Sequence, residues 1–285
     1  MSYHSFAALE PDYPSSTFPP TPIPPAELAA LTSAYDGKRC ILTQRESGID
    51  WAQLIPLDID EPWQARRIST AKSLNLVSSE FDAVCRGNIL PLNKADHASF
   101  SALTWTIYPT LPTLLRLIEH EESQLLRRHL LVAANRPDAG RPPYAEFYGT
   151  LDSESGLPYD VHFGADFTDN VVARNRDRRF YRVRSEDGVA TDQFPTLSLV
   201  CNVNVVVMTR TSALARPMLT PSRSSQALVL GAYLITLWSA DPRQIALHLR
   251  FRPVFLPPLN FPPTDSGCPV LNPSTADSHS FLDSL

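Results

Sequence analysis

The chain has 285 residues, enough to bury a substantial core, and a net charge of −5, which excludes a global attraction to nucleic acid and leaves local basic patches for that purpose. Its 27 prolines outnumber its 10 glycines, and its four cysteines (Cys40, Cys85, Cys201 and Cys268) form no CxxC pair, which excludes a zinc ribbon and a dense disulfide framework. No basic-then-apolar leader opens the sequence, and its longest apolar stretch, Ala227 to Trp238, is too short to span a bilayer; these features predict a soluble intracellular protein, nuclear or cytoplasmic, with no membrane partner.

Pro11, Pro14, Pro19, Pro20, Pro22, Pro24 and Pro25 fall among few large aliphatics, so residues 1–35 read as a proline-rich arm. Helix-forming residues appear only near its end, from Ala26 to Ala34. Cys40 to Thr43 and Asp50 to Pro56 are short apolar runs around a Glu46-Ser47-Gly48 turn, which predicts a hairpin. Glu61 to Leu74 has the composition of a helix, with Pro62 tolerated in its first turn. Asn88 to Leu92 is a short extended piece. Asn93 can then cap a helix that carries Asp96, His97 and Phe100, with Asp96 at a position where negative charge favours the helix start. Trp105 to Tyr108 reads as a strand stopped by Pro109.

Pro112 to Leu131 is the clearest helix, with Leu114, Leu115, Ile118, Leu125 and Leu130 on an apolar side and glutamates preceding arginines. Beyond the linker of residues 136–143 the pattern predicts mostly strands: Tyr144 to Leu151, Tyr159 to Phe163, Arg179 to Arg184, Leu197 to Met208, Ala227 to Trp238 and Ile245 to Phe255. A proline- and serine-rich tail begins at residue 258. The expected architecture is α+β, with a two-strand-and-helix module at 36–110, a bracing helix, and a mostly β accessory region to 257.

The chemistry-bearing residues lie between Cys40 and Pro109. They run Cys40, Leu42-Thr43, Trp51-Ala52-Gln53-Leu54-Ile55-Pro56, Leu74-Asn75, Asn88-Ile89-Leu90-Pro91-Leu92, Asp96-His97, Phe100, Trp105 and Pro109. In order and approximate spacing this stretch, about a quarter of the chain, resembles the HNH endonuclease family, of the kind numerous in mushroom-forming fungi. The resemblance implies a ββα-metal fold in which a hairpin and a helix hold one divalent cation, magnesium or zinc, against a scissile phosphate. Such chemistry needs an imidazole to take a proton from water and a cation to stabilise the charge that develops on oxygen.

Carried over residue by residue, the resemblance makes Asn88 the structural asparagine and His97 the metal ligand. The position of the catalytic base falls on Gln53, whose amide cannot accept that proton near neutral pH. The family's Phe-Asp is Phe100-Ser101 here, so Ser101, four residues after His97 on the same helix face, offers only a neutral hydroxyl to the metal side. Asp50, Asp58 and Asp60 are nearby carboxylates, but strand alternation sends Asp50 to the face opposite Gln53 and the other two come after Pro56. Together these departures imply an HNH-domain protein with impaired or lost phosphodiesterase activity, kept as a binding or structural module. The alternatives are an active endonuclease with an altered site, and an interaction module without nucleic-acid contact.

Arg174, Arg176, Arg178, Arg179, Arg182 and Arg184, interleaved with Phe180 and Tyr181, form the one dense basic cluster. It suits a DNA or RNA backbone with an aromatic stacked on a base, and it suits better an exposed strand whose arginines Arg182 and Arg184 point to water while Asp177, Glu186 and Asp187 neutralise part of the charge. His120, His129, His162 and His248 show no metal-ligand spacing and read as structural.

Overall fold

The computed structural model describes residues 23–35, 37, 39–55, 62–136, 140–142, 144, 156–167, 172–174, 180–183, 194 and 196–257. The chain divides into two units, Met1–Pro253 and Val254–Leu285, and all the described helices and strands belong to the first. Most of the proline arm, the tail from 258 and the stretch 145–151 lie outside the described residues.

The elements run α1 (Pro25–Ala34), β1 (Ile49–Gln53), α2 (Pro62–Ser73), β2 (Ile89–Asn93), α3 (Lys94–Ser101), β3 (Trp105–Pro109), α4 (Leu111–Ala133), β4 (Leu157–Phe163), β5 (Val172–Arg174), β6 (Phe180–Arg182), β7 (Leu197–Leu199), α5 (Val203–Leu214), α6 (Pro221–Trp238) and α7 (Ile245–Arg250). The protein is α+β, with small antiparallel sheets: β1 pairs with β2, β5 with β6, and a third sheet has the order β3-β4-β7. The expected hairpin between residues 40–43 and 50–56 does not form. Residues 41–43 are a turn, closed by Gln44 N–H donating to the Cys40 carbonyl and Cys40 N–H to that of Arg45, and the true partner of β1 is β2. Ile41 alone reaches out of this turn, donating its N–H to the Pro91 carbonyl of β2; one such bond does not make a ladder, and the turn takes up the Cys40 groups that a strand would need.

The accessory region is likewise not mostly β. Its described strands are short, and most of the apolar stretches read as strands are helices: α5 for Leu197–Met208 after the three-residue β7, α6 for Ala227–Trp238, and α7 for Ile245–Phe255. Asn202 starts α5 by accepting from the N–H groups of Asn204 and Val205, which overrides the strand preference of its valines. Pro221 opens α6 at a position where its missing N–H costs nothing. α5 is buried on most sides, and α6 buries one face, through Ala227, Leu230, Leu234 and Leu237, while carrying the apolar Val229 and Ala232 on the exposed one, so neither apolar run shows a period that distinguishes it from a core strand.

Every residue of β3 is buried, and its alternation divides the core. On one face Trp105 donates its indole N–H to the Asp96 carbonyl of α3. On the other, Tyr108 meets the Thr211 hydroxyl of α5 at 2.7 Å and closes on Gly231 of α6, where a Cβ would lie 1.8 Å from the phenol oxygen. A glycine costs α6 helix propensity and is explained here by that close approach. The Arg210 guanidinium sits 3.7 Å from the centre of the Phe100 ring and donates to the Phe100 carbonyl, tying α5 to the end of α3.

Candidate functional site

β1, β2 and α3 are contiguous in space. Asn93 ends β2 and caps α3, its side-chain oxygen accepting from the N–H groups of Ala95 and Asp96 at 3.0 Å each. Its amide nitrogen donates to the Thr43 hydroxyl and to the Asp96 carboxylate. The same carboxylate accepts from the Cys40 thiol (3.0 Å) and the Thr43 hydroxyl (3.2 Å). Asp96 therefore welds the 40–43 turn to the first turn of α3. Burial, and after it the nearby carboxylate, push the Cys40 thiol up to about 11, so it stays a neutral donor.

Asn88 is fully buried and uses its whole side chain. Its oxygen accepts from the Ile55 N–H (2.8 Å), while its nitrogen donates to the carbonyls of Ile55 (2.9 Å) and Ala83 (2.8 Å). The backbone adds Leu54 N–H to the Asn88 carbonyl. Asn88 thus splices the chain beyond β1 to the turn before β2, across 33 residues. Gln53, the last residue of β1, donates its side-chain N–H to the Ala83 carbonyl at 3.2 Å.

His97 behaves differently. Its Nδ1 lies 3.6 Å from a carboxylate oxygen of Asp50, and both side chains are partly exposed. Asp50 and Gln53 are three residues apart on β1, hence on opposite faces and about 10 Å apart along the strand. Of the four expected catalytic and metal residues, Gln53 and Asn88 converge on Ala83, and His97 meets Asp50 toward the other end of β1. Ser101 is the exposed last residue of α3. The pairing of Asp50 with His97 could not be read from sequence, because the two are brought together by the β1–β2 register and the turn into α3. Asp50 and His97 supply two donors, short of the three or four protein ligands that hold a zinc ion. Among the described residues no three of His, Cys, Asp and Glu gather as a metal group.

A second polar cluster sits between β4 and α6. His162 Nδ1 lies 2.9 Å from the Ser224 hydroxyl, and Asp160, on the same face of β4, pairs with Arg223 and accepts from Thr196. A hydroxyl on an imidazole has the geometry of an activated nucleophile. His162 and Ser224 are each 1% exposed, however, so the dyad is sealed from substrate and docks helix on sheet. Burial pushes His162 down to about 4, with Asp160 opposing and Arg223 adding to the shift.

Two buried carboxylates of α4 act as anchors. Glu121 holds Arg141 and Tyr144, while Arg141 reaches on to the carbonyls of Leu74, Leu237 and Trp238. Glu122 accepts from Tyr233 and Arg252. In the expected basic cluster, β5 and β6 form a ribbon with Val172 opposite Arg182 and Arg174 opposite Phe180; Arg176, Arg178, Arg179 and Arg184 lie outside the described residues. Among the described residues no helix is long and apolar enough to cross a membrane. Compared with protein-family models, curated proteins and solved structures, the chain matches none.

Proposed function

We propose that residues 36–110 are an HNH-like ββα module in which phosphodiester hydrolysis is impaired or lost and which is retained for binding. The observation that carries this reading is the state of Gln53. The side chain at the expected base position is an amide, and it donates to the same carbonyl as the buried Asn88, as a part of the scaffold would. An antiparallel strand pair running directly into a capped helix suits the proposed module. On the metal side, His97 meets the Asp50 carboxylate among the described residues, and Ser101 brings no charge. Loss of a general base typically removes about 10² to 10⁴ in rate, and a weakened cation site lowers it further.

The experiment is incubation of the purified protein with supercoiled plasmid and with single-stranded DNA in Mg²⁺ or Mn²⁺. Neither substrate should be nicked. Nicking that vanishes in His97→Ala would overturn the proposal in favour of an active endonuclease with an altered site. Gln53→His combined with Ser101→Asp should raise Mn²⁺ affinity in calorimetry, and no gain would count against the residue correspondence itself.

A further inference from the structure

Charge is distributed unevenly along this chain. From Val200 to Pro257 there are six arginines, no lysine and one acidic residue, Asp241, in a protein whose net charge is −5. Arg210, Arg216, Arg223 and Arg252 are engaged within the fold, with Phe100, Ala102, Asp160 and Glu122 respectively. Arg243 and Arg250 are exposed. They lie on the single turn Pro242–Gln244 and on α7, which continues from it.

The inner side of this segment is clear. Pro242 and Ile245 are buried, His129 Nδ1 of α4 meets the Pro242 carbonyl at 2.7 Å, and Arg252 closes on Glu122 of α4. The outer side is a stripe. Leu247, Arg250 and Phe251 fall at i, i+3 and i+4 on α7 and its C-cap, the spacing of one helical face, and Arg243 lies on the turn that opens into that helix. Leu247 is 38% exposed and Phe251 62%, and Leu130, next to His129 on α4, is 43% exposed. A leucine left in water between two guanidinium groups, with an exposed phenylalanine directly after the second, is the opposite of an ordinary solvated helix face.

We propose that this Arg-Leu-Arg-Phe stripe is a binding surface for single-stranded nucleic acid, with Arg243 and Arg250 on phosphates and Phe251 stacked on a base. Charge complementarity selects a polyanion, and the exclusive use of arginine in this region suits the forked geometry of phosphate. An exposed aromatic interleaved with cations selects a strand whose bases are free to stack. An anionic membrane surface fits less well, because interfacial helices segregate their cations and apolar residues to opposite faces, whereas here they share one. The surface lies on the Pro242–Gln244 turn and α7 rather than on the β1–β2–α3 module, so it rests on the proposed binding role but not on the residues of the candidate catalytic site.

The test uses the full chain and three probes: a fluorescein-labelled oligo(dT) 20-mer, a 20-base-pair duplex, and vesicles of phosphatidylserine and phosphatidylcholine. The single strand should bind best by anisotropy. Phe251→Ala and Phe251→Leu should each weaken it about tenfold, because a lost stack costs roughly 1–3 kcal/mol per base. Arg243→Gln with Arg250→Gln should flatten the slope of log K against log salt by about 1.4, at roughly 0.7 per phosphate contact on a single strand. Circular dichroism and melting confirm that these surface variants remain folded. Unchanged oligo(dT) affinity in the variants, with a fall only in Arg174→Gln with Arg182→Gln, would overturn this surface and leave the binding role standing. Vesicle binding that survives Phe251→Leu but not Phe251→Ala, without oligonucleotide binding, would overturn it in favour of a membrane. No binding to any probe at low salt would sink both readings.

Discussion

Gln53 and Asn88 donate to one acceptor, the carbonyl oxygen of Ala83, at 3.2 and 2.8 Å. A strand end, a buried turn and the residue preceding β2 are thereby held as one piece. The contribution of each donor differs, because Asn88 is sealed and triply bonded while Gln53 is only part-buried.

Asn88→Ala should destabilise the protein by roughly 2–4 kcal/mol, since it strands the Ile55 N–H and the Ile55 carbonyl in a buried site and leaves the Ala83 carbonyl to Gln53 alone. Gln53→Ala should cost about 1 kcal/mol or less. Urea denaturation followed by circular dichroism measures both. Equal losses would contradict this division of labour.

Arg141→Ala should cost roughly 3–5 kcal/mol, because it leaves the buried Glu121 carboxyl group without its guanidinium partner. Lysine should rescue little of this. The guanidinium serves Glu121 and three backbone carbonyls in different directions, which a single ammonium cannot match. Differential scanning calorimetry of wild type, Arg141→Ala and Arg141→Lys would decide the point.

His162 predicts an acid sensitivity with a defined window. In the unfolded chain a histidine titrates near 6.5, whereas in the fold burial holds it at about 4, so the unfolded state takes up the proton first. The stabilisation is complete above about pH 6.5, falls as pH drops toward 4, and amounts to about 3 kcal/mol. Its loss would release the Ser224 contact that docks α6 on β4. Stability curves for wild type and His162→Gln should converge as pH falls through this range; parallel curves would refute the assignment.

Thiol labelling should track burial. Cys40 and Cys201 are buried, with Cys201 pushed up to about 12 by burial, while Cys85 is partly accessible and also raised. In the native protein iodoacetamide at pH 8 should modify Cys85 well before the other two, as read by peptide mass spectrometry. Labelling of Cys40 ahead of Cys85 would mean that the Cys40–Asp96 contact opens readily.

Local chemistry was legible from the sequence wherever one residue acts on its near neighbours. The Asn93 cap, the acidic first turn of α3, the stop at Pro109 and the long α4 are all expected from spacing and side-chain type, and all are present. The bounds of α2 were legible for the same reason. What failed were the partners of apolar runs. Cys40–Thr43 reads as a strand because it is apolar, yet it turns back at Cys40, sends one N–H, that of Ile41, to β2, and directs the Cys40 and Thr43 side chains to Asp96, more than fifty residues later. Leu130 matched the apolar stripe of α4 but emerges into solvent near the end of the helix, where the cover is thinner.

Composition and short-range pattern therefore determined that the chain is mixed α and β, that Gln53 cannot serve as a base, and that Ser101 brings no charge to His97. Tertiary structure decided the rest: that β1 pairs with β2 across an inserted helix, that His97 meets Asp50, that Gln53 turns to Ala83, and that Val203–Leu214 and Pro221–Trp238 are helices. The physical reason is that a capped turn depends on a few adjacent residues, while an apolar run is satisfied by any burial at all. Only the packing of the whole chain chooses which.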